Sequence, residues 1–314
     1  MICRFTIYSN NSTIKTFILL LRMPKTLPVY RILDFHQKNP GNHFYANDLH
    51  IHLKEHRFTN DPHKHDFYLT VLFTKGSGTH EVDFIKYKIK PGALFTLKPG
   101  QMHNWNLSKY TSGYVFFHSK NFYEERYTND KLNNYPFFAT FGNAPLTQLD
   151  ASTGKYIEGL MAEIVSEYKR IKLRSDQKIH SLVNIIYIEL MRSYAPTQKT
   201  QNQTYLMQVQ KFEDLIEQHY RDFKLPKEYA TKLFITEKHL NRITRSLLNK
   251  TSTQLIGERI ILEAKRSLFN SKLNISEISN ELGFNDTSYF IRFFKKHVGE
   301  TPLSFSKSYH KDLK

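Results

Sequence analysis

A short segment near the C-terminus carries side chains that could bind the backbone and the base edges of a nucleic acid. They recur on one face of a predicted helix: Thr287, Ser288, Ile291, Arg292 and Lys295, with Lys296 beside them. Arginine and lysine bind phosphates and guanine edges, and hydroxyls reach both phosphates and bases. No acidic residue occurs from Thr287 to His297, so this face can approach a polyanion.

The surrounding pattern predicts the helix-turn-helix that would position these residues. Gly283 can end a first helix and permit a sharp turn, and either Asn285 or Asp286 can cap the second helix. The second helix has a buried stripe at three-to-four spacing, formed by Phe290, Phe293 and Phe294. A plain helical hairpin with a solvated basic face would show the same short pattern.

A longer ordered series surrounds the motif. It consists of Gly283-Phe284, Ser288-Tyr289-Phe290, Phe294-Lys295-Lys296, Gly299 and Thr301-Pro302. This series resembles the signature of the AraC/XylS family of bacterial transcription regulators, and the resemblance covers roughly Gln208 to Tyr309. Ser279 stands where alanine is usual, and Phe305-Ser306 replaces an aromatic-arginine pair, which leaves one phosphate contact of the family without its arginine.

A second copy of the pattern lies upstream, from Glu228 to Arg245. When Leu240 is aligned with Phe290, the two copies place basic residues at the same positions: Arg242 with Arg292, and Arg245 with Lys295. The resemblance implies that base edges are contacted by two sets of residues. These are Lys238, Asn241 and Arg242 in the first copy, and Thr287, Ser288, Ile291 and Arg292 in the second.

A single amphipathic helix is predicted between the copies, from Thr253 to Asn270, with Arg259 and Lys265 pointing outward. This stretch resembles the linker helix of the family. A rigid helix there would hold two reading helices at a fixed separation, and successive major-groove faces lie about 34 Å apart. A further helix from Val209 to Tyr220 would open the domain.

The N-terminal part, from about Val29 to Phe122, changes to short strands separated by Gly/Pro turns. The strand-like runs are Asp48–Leu53, Phe67–Phe73, Phe84–Ile89, Ala93–Leu97 and Tyr114–His118. Even spacing of this kind predicts a small β-barrel or jelly roll. Two segments, His63-Lys64-His65 and Pro99-Gly100-Gln101-Met102-His103, resemble a cupin barrel, the usual effector domain of the same family.

The same histidines raise an alternative, a metal-dependent cupin enzyme fused to a nucleic-acid-binding domain. His63 and His65 would share one side of a strand, and His103 could complete a set of imidazoles around a divalent metal. The catalytic pattern also has a glutamate shortly after the pair, and here Asp66 is followed only by uncharged residues as far as Phe73. We therefore expect no catalytic residue, no metal and no cofactor, with zinc binding by three neutral histidines as the alternative that stays open.

A small-molecule effector is the more natural occupant, since barrels of this size enclose a ligand-sized cavity. The expected pocket residues are His65, Phe95, His103 and Trp105. The ligand's identity stays open among sugars, aromatic compounds and other apolar molecules.

The expected architecture is a multi-domain protein, β plus all-α. Its predicted parts are a tail or over-long start (1–25), a cupin-like domain (26–150), a helical dimerisation element (151–195), a linker (196–206) and a DNA-binding domain with two helix-turn-helix motifs (207–314). The dimerisation element contains two apolar-faced helices, Tyr156–Tyr168 and Gln177–Tyr194. In the family such helices pack across a dimer interface; alternatively, they cover their own sheet.

Composition is compatible with this architecture. The chain has 45 basic and 29 acidic residues, a net charge of +16, which favours a polyanionic partner. From Met207 onward there are 19 basic and 13 acidic residues, so the surplus is not confined to the DNA-binding half. The single cysteine, Cys3, excludes an intramolecular disulfide, and the apolar run Phe17–Leu21 is well short of the ~20 residues of a membrane span.

These features together predict a sequence-specific transcription regulator, an activator, that binds double-stranded DNA and responds to a small-molecule effector. We expect a cytoplasmic homodimer that does not bind membranes, with RNA polymerase as a further candidate partner.

Overall fold

The computed structural model describes residues 27–35, 43–56, 61–127, 131–139, 144–193, 203–270 and 273–311. The predicted tail and all but the last few residues of the predicted linker lie outside the described residues.

The N-terminal half is built from short strands, as the turn pattern predicted. The strands are β1 (Val29–Tyr30), β2 (Phe44–Asp48), β3 (Lys64–His65), β4 (Tyr68–Lys75), β5 (Gly78–Val82), β6 (Ile85–Ile89), β7 (Ala93–Leu97), β8 (His103–Leu107), β9 (Ser112–His118) and β10 (Leu146–Gln148). A five-stranded antiparallel sheet has the order β10-β7-β4-β9-β2, a three-stranded sheet has the order β6-β5-β8, and β1 pairs with β3. The two larger sheets share one core, so they face each other as in a jelly roll.

The helices occupy the remainder of the described chain. They are α1 (Leu49–Glu55), α2 (Lys120–Glu124), α3 (Ala151–Arg170), α4 (Ser175–Ser193), α5 (Gln203–His219), α6 (Pro226–Lys232), α7 (Glu237–Leu248), α8 (Ser252–Asn270), α9 (Ile275–Glu281), α10 (Thr287–Val298) and α11 (Pro302–Lys311). The predicted helices are therefore confirmed, and α5 begins ahead of the expected Val209.

Helices α3 and α4 cover the outer face of the five-stranded sheet. Their apolar stripes, including Ile164 and Ile186, belong to the same buried cluster as Phe116 and Leu94 of the sheet. The hydroxyl of Tyr187 lies 2.6 Å from His118 Nε2, which adds a polar link between α4 and β9. These apolar stripes are therefore buried against the chain's own sheet, as the alternative to a dimer interface predicted.

The C-terminal half is entirely helical within the described residues, with α8 at its centre. The predicted apolar row of α8 is buried, and it packs in one cluster with side chains of α5, α7 and α10 such as Phe212, Leu240 and Phe290. Two helix-turn-helix units, α6–α7 and α9–α10, lie at either end of α8 in sequence, as expected. The turn joining α9 to α10 is one residue longer than the turn joining α6 to α7.

Two expectations from the sequence are wrong. Within the alternating run Asp48–Leu53, the residues from Leu49 onward belong to α1 rather than to a strand, because Leu49 and His52, three residues apart, both face the core while Ile51 is exposed. Arg259, expected to point outward, is only 7% exposed, because it pairs with Glu217 and Glu263 and its guanidinium lies 4.1 Å from the centroid of the Tyr220 ring.

Candidate nucleic-acid interface and barrel site

Helix α7 presents the first set of expected DNA contacts. The Thr236 hydroxyl caps the helix by accepting a hydrogen bond from the His239 backbone N–H at 3.1 Å. Leu240 and Ile243 are fully buried and fix the helix against the domain core. The opposite face is exposed and carries Lys238, Arg242 and Arg245.

Two residues of α7 are held by neighbours within the chain. Asn241 is half-buried, and its side-chain oxygen accepts a hydrogen bond from the Ser252 backbone N–H at 3.2 Å, at the start of α8. The Arg242 guanidinium lies 2.8 Å from Nδ1 of His239. The bond to Ser252 uses one of the two acceptor positions of the Asn241 oxygen and leaves its amide nitrogen free to donate.

Helix α10 presents the second set. Asp286 caps it by accepting a hydrogen bond from the Ser288 backbone N–H at 2.8 Å. Phe290 and Phe294 are fully buried, whereas the expected contact residues lie outside the core. Ser288, Arg292, Lys295 and Lys296 are exposed, and Thr287 and Ile291 are half-buried.

Two side chains on these helices, His239 of α7 and Tyr289 of α10, were not identified as site residues from the sequence. Tyr289 is 52% exposed at the position of α10 that aligns with His239 of α7. Gly283, the turn residue identified from the sequence, has a positive φ of 75°, and a Cβ at this position would collide with the backbone carbonyl of Arg221. A survey of every outward position, rather than the basic ones alone, would have identified His239 and Tyr289.

The structure brings the four expected pocket residues together inside the barrel. His65, Phe95, His103 and Trp105 are all at most 4% exposed. They surround His80 on β5, which the sequence reasoning missed. The His80 ring centroid lies 4.4 Å from that of Phe95 and 5.3 Å from that of Trp105, and its Nε2 lies 3.0 Å from Nδ1 of His103.

This barrel cluster contains polar atoms without partners. His65 Nε2, His80 Nδ1, His103 Nε2 and Trp105 Nε1 are buried and make no hydrogen bond to any described residue. Burial lowers the pKa of His65 and of His80 to about 3, so both imidazoles are neutral at physiological pH. A bound ligand with hydroxyl or amide groups could form hydrogen bonds with these nitrogen atoms.

The histidine cluster does not form a metal centre. Among the residues that the structure describes, no three His, Cys, Asp or Glu side chains are arranged to hold a metal ion. His63, His65 and His80 each lie beside His103, with ring centroids 4.2, 5.1 and 5.2 Å away.

The barrel and the helical domain meet through charged side chains. Lys98, in the turn after β7, binds Glu217 of α5 at 3.1 Å, and Arg259 of α8 binds the other oxygen of Glu217 at 2.8 Å. Beside these pairs lies a polar cavity of about 280 Å³, lined by both halves. The β5–β6 turn also contacts the helical domain, because the ring centroid of Phe84 lies 5.7 Å from that of Phe305.

None of the described helices combines the length and the apolar character that a membrane span requires.

Two family models match the chain in the regions that carry these sites. A helix-turn-helix domain matches residues 229–308, and an AraC-like ligand binding domain matches residues 49–119. The chain is 23% identical over 249 residues to the HTH-type transcriptional activator RhaR of Enterobacter sp. (strain 638), which covers 77% of this chain and 86% of RhaR. It is 30% identical over 146 residues to the transcriptional activator AggR of Escherichia coli, covering 45% of this chain and 53% of AggR.

Among solved structures, the chain is similar to the unsaturated fatty acid bound ToxT from Vibrio cholerae, with 17% identity and a TM-score of 0.44, over 86% of this chain and 97% of that one.

Proposed function

Given that this chain belongs to the AraC family of transcription regulators, we propose that α7 and α10 read two segments of one DNA site while the barrel cluster binds the effector that controls them. The chain is an effector-responsive, DNA-binding regulator and not an enzyme, so the alternative of a metal-dependent cupin enzyme is wrong.

The observation that supports DNA reading by both units is their repeated geometry. Each unit buries the apolar stripe of its second helix and exposes the basic residues of the opposite face, Arg242 and Arg245 on α7, Arg292 and Lys295 on α10. Since α8 packs against α7 and α10 in one core, the two helices are held in a fixed relation. Fixed spacing lets a single chain recognise a longer site than one helix could.

Selection from random duplexes with the purified full-length protein tests this reading. We expect enrichment of a long site with two conserved segments about one helical turn apart. Enrichment of a single short segment would mean that only one helix reads bases, and no enrichment over random sequence would overturn the proposal.

The effector site is supported by the unpartnered nitrogens of the barrel cluster. A ligand that satisfies them must offer hydrogen-bonding groups, so an effector with hydroxyl, carbonyl or amide functions fits better than a hydrocarbon. Trp105→Phe, which removes only the indole N–H and some volume, is expected to shift the effector dose-response at matched protein abundance. Tyr110→Phe, at an 82% exposed position, is the control. Identical dose-responses from both variants would remove Trp105 from the site.

A homodimer is supported by apolar side chains left exposed on α4. The main stripes of α3 and α4 are used by the chain's own sheet, but Ile188 and Met191 are 38% and 50% exposed and lie three residues apart on one helical face. We expect the double substitution Ile188→Glu and Met191→Glu to yield a monomer in sedimentation analysis. Ser181→Glu, at an exposed position of the same helix, should leave the dimer intact.

Activation is supported by the similarity to RhaR and AggR, which are transcriptional activators. We infer that this chain also activates transcription, in the cytoplasm and with RNA polymerase as its partner. Transcription in vitro from a promoter that carries the selected site should rise when protein and effector are added. A fall in transcript would identify a repressor instead.

A further inference from the structure

Arg242, an exposed arginine of the first unit, is held by a neighbouring side chain on its own helix. Arg242 Nη2 lies 2.8 Å from His239 Nδ1, one helical turn away on α7. A guanidinium has only donors, so it donates and the imidazole nitrogen accepts. The ring must therefore be neutral at Nδ1 and carry its hydrogen on Nε2.

The hydrogen bond on the other side of the His239 ring requires the same tautomer. His239 Nε2 lies 3.1 Å from Oε1 of Gln208, a side-chain oxygen that can only accept. The two hydrogen bonds thus run in one direction, from Arg242 through His239 to Gln208. Gln208 lies on α5, so a helix outside the helix-turn-helix fixes the ring that orients Arg242.

Tyr205, also in the first turns of α5, closes the same site. Its ring meets that of His239 edge-on, with centroids 5.6 Å apart and an interplanar angle of 83°. The Arg242 guanidinium carbon lies 5.8 Å from the centroid of the Tyr205 ring. A cation near an aromatic face is attracted to it, so Tyr205 restricts the guanidinium further.

The second unit lacks this arrangement. The residue that aligns with His239 is Tyr289, whose ring packs against Phe284 with centroids 5.7 Å apart. Arg292, which aligns with Arg242, lies 3.8 Å from Asp286, and both side chains are more than half exposed. The difference between the repeats indicates that the restraint on Arg242 is not a general requirement of the helix-turn-helix.

We propose that His239, oriented by Gln208 and Tyr205, is a positioning residue that presets Arg242 for one base pair, so that the first turns of α5 determine the specificity of the first unit. This inference rests on the proposed function, in which Arg242 contacts a base edge. A guanidinium that is already oriented loses less conformational freedom when it binds DNA. It also disfavours base pairs whose acceptor atoms lie in another direction.

The experiment measures discrimination at single base pairs by the full-length protein. Affinities are determined for the selected site and for sites that are changed one base pair at a time, together with random DNA. The variants are Arg242→Ala, His239→Ala, His239→Gln and Gln208→Ala, with Lys211→Ala on the exposed side of α5 as the matched control. Circular dichroism checks that each variant is folded.

Arg242→Ala should relax discrimination at one base pair by about tenfold or more. His239→Ala should relax the same base pair by about threefold and Gln208→Ala by less, since each removes one restraining hydrogen bond. Affinity for random DNA should stay unchanged in these two variants. His239→Gln, whose amide can accept from Arg242 and donate to Gln208, should restore discrimination, and Lys211→Ala should have no effect.

Two results separate the inference from the proposed function. If Arg242→Ala relaxes one base pair while both His239→Ala and Gln208→Ala leave it unchanged, the positioning role is refuted and DNA reading by Arg242 stands. If Arg242→Ala changes no base preference, its assignment as a base-reading residue fails. Equal loss of affinity for specific and random DNA in His239→Ala would mean a general structural role, and would also overturn the inference.

Discussion

Asp83 of the barrel and Arg266 of helix α8 form a two-pronged ion pair across the boundary between the two halves of the chain. Arg266 Nε lies 2.9 Å from Oδ1 of Asp83, and Nη2 lies 2.8 Å from Oδ2. The Arg266 side chain is 7% exposed and the Asp83 side chain is 12% exposed, so water screens their attraction little. Two parallel hydrogen bonds to a planar guanidinium also fix the angle at which the halves meet.

The backbone that carries Asp83 is unusual. Asp83 and Phe84 form the two-residue turn between β5 and β6, with φ values of 47° and 71°. Such a turn favours glycine or asparagine, and Phe84 is costly there. Contacts of both side chains with the helical domain hold the turn in this form. Since Val82 pairs with His103, the turn lies directly beside the barrel cluster and joins the proposed effector site to the DNA-binding domain.

The first prediction concerns the strength of this ion pair. Asp83→Asn and Arg266→Gln should each destabilise the full-length protein, and the double variant should lose less than the two losses added together. The coupling free energy should be about 1–3 kcal/mol, because the pair is largely buried. Chemical denaturation of the four proteins gives this value.

The exposed pair between Lys250 and Glu258, also 2.8 Å apart, is the matched control. Both of its side chains are at least 40% exposed, so its coupling should not exceed about 1 kcal/mol. Strictly additive losses for Asp83→Asn and Arg266→Gln would contradict a direct contact between the halves.

The second prediction separates phosphate contacts from base contacts on α10. Lys295 and Lys296 are exposed in the last turn of the helix. Replacing either by alanine should weaken binding to all DNA sequences alike and reduce the slope of log affinity against log salt by about one. Arg292→Ala should instead cost about 1–3 kcal/mol on the specific site only. Binding measured at several salt concentrations distinguishes these outcomes, and a sequence-dependent loss in the lysine variants would reverse the assignment.

The third prediction is a loss of stability on acidification. Burial lowers the pKa of His52, His65 and His80 to about 3, whereas an unfolded chain protonates these rings near pH 6.5. The unfolded state therefore binds more protons between these values. Stability is complete above about pH 6.5 and falls as the pH decreases toward 3, by up to about 1.4 kcal/mol per pH unit for each histidine.

Fluorescence reports this transition, since Trp105 is the single tryptophan of the chain and lies beside His80 and His103. Denaturation curves at several pH values between 7 and 4 should show the expected slope, and His80→Phe should reduce it. An unfolding free energy that is constant from pH 7 to 5 would contradict the neutral state of the cluster.

The fourth prediction compares two glycines with positive φ. A Cβ at Gly283 would collide with the Arg221 carbonyl, whereas a Cβ at Gly299, where φ is 91°, meets no described atom within 4 Å. Gly299→Ala should cost about 1 kcal/mol from its backbone conformation alone. Gly283→Ala adds a backbone clash and should cost about 3 kcal/mol. Thermal unfolding of both variants tests the difference, and equal costs would mean that α5 and the second unit separate easily.

Much of the helical half could be predicted from its sequence. Helices α7, α8 and α10 bury one stripe each, so their period is visible in residues such as Leu240 and Phe290. The barrel was harder to predict because β5 buries His80 and Glu81, polar residues that conceal its inward face. The burial of Arg259 could not be predicted, since periodicity within α8 does not show that Glu217 and Tyr220 would pack beside it.

The unequal turns of the two helix-turn-helix units determine what kind of operator this chain can recognise. Residues 282–286 form a longer connection than residues 233–236, and α7 and α10 carry different side chains on their exposed faces. If the duplex were reversed, α7 would face the base pairs that α10 recognises, and α10 would face those that α7 recognises. An operator for one copy of this chain therefore has polarity, and inverting it within a promoter should abolish regulation even though every base pair is retained.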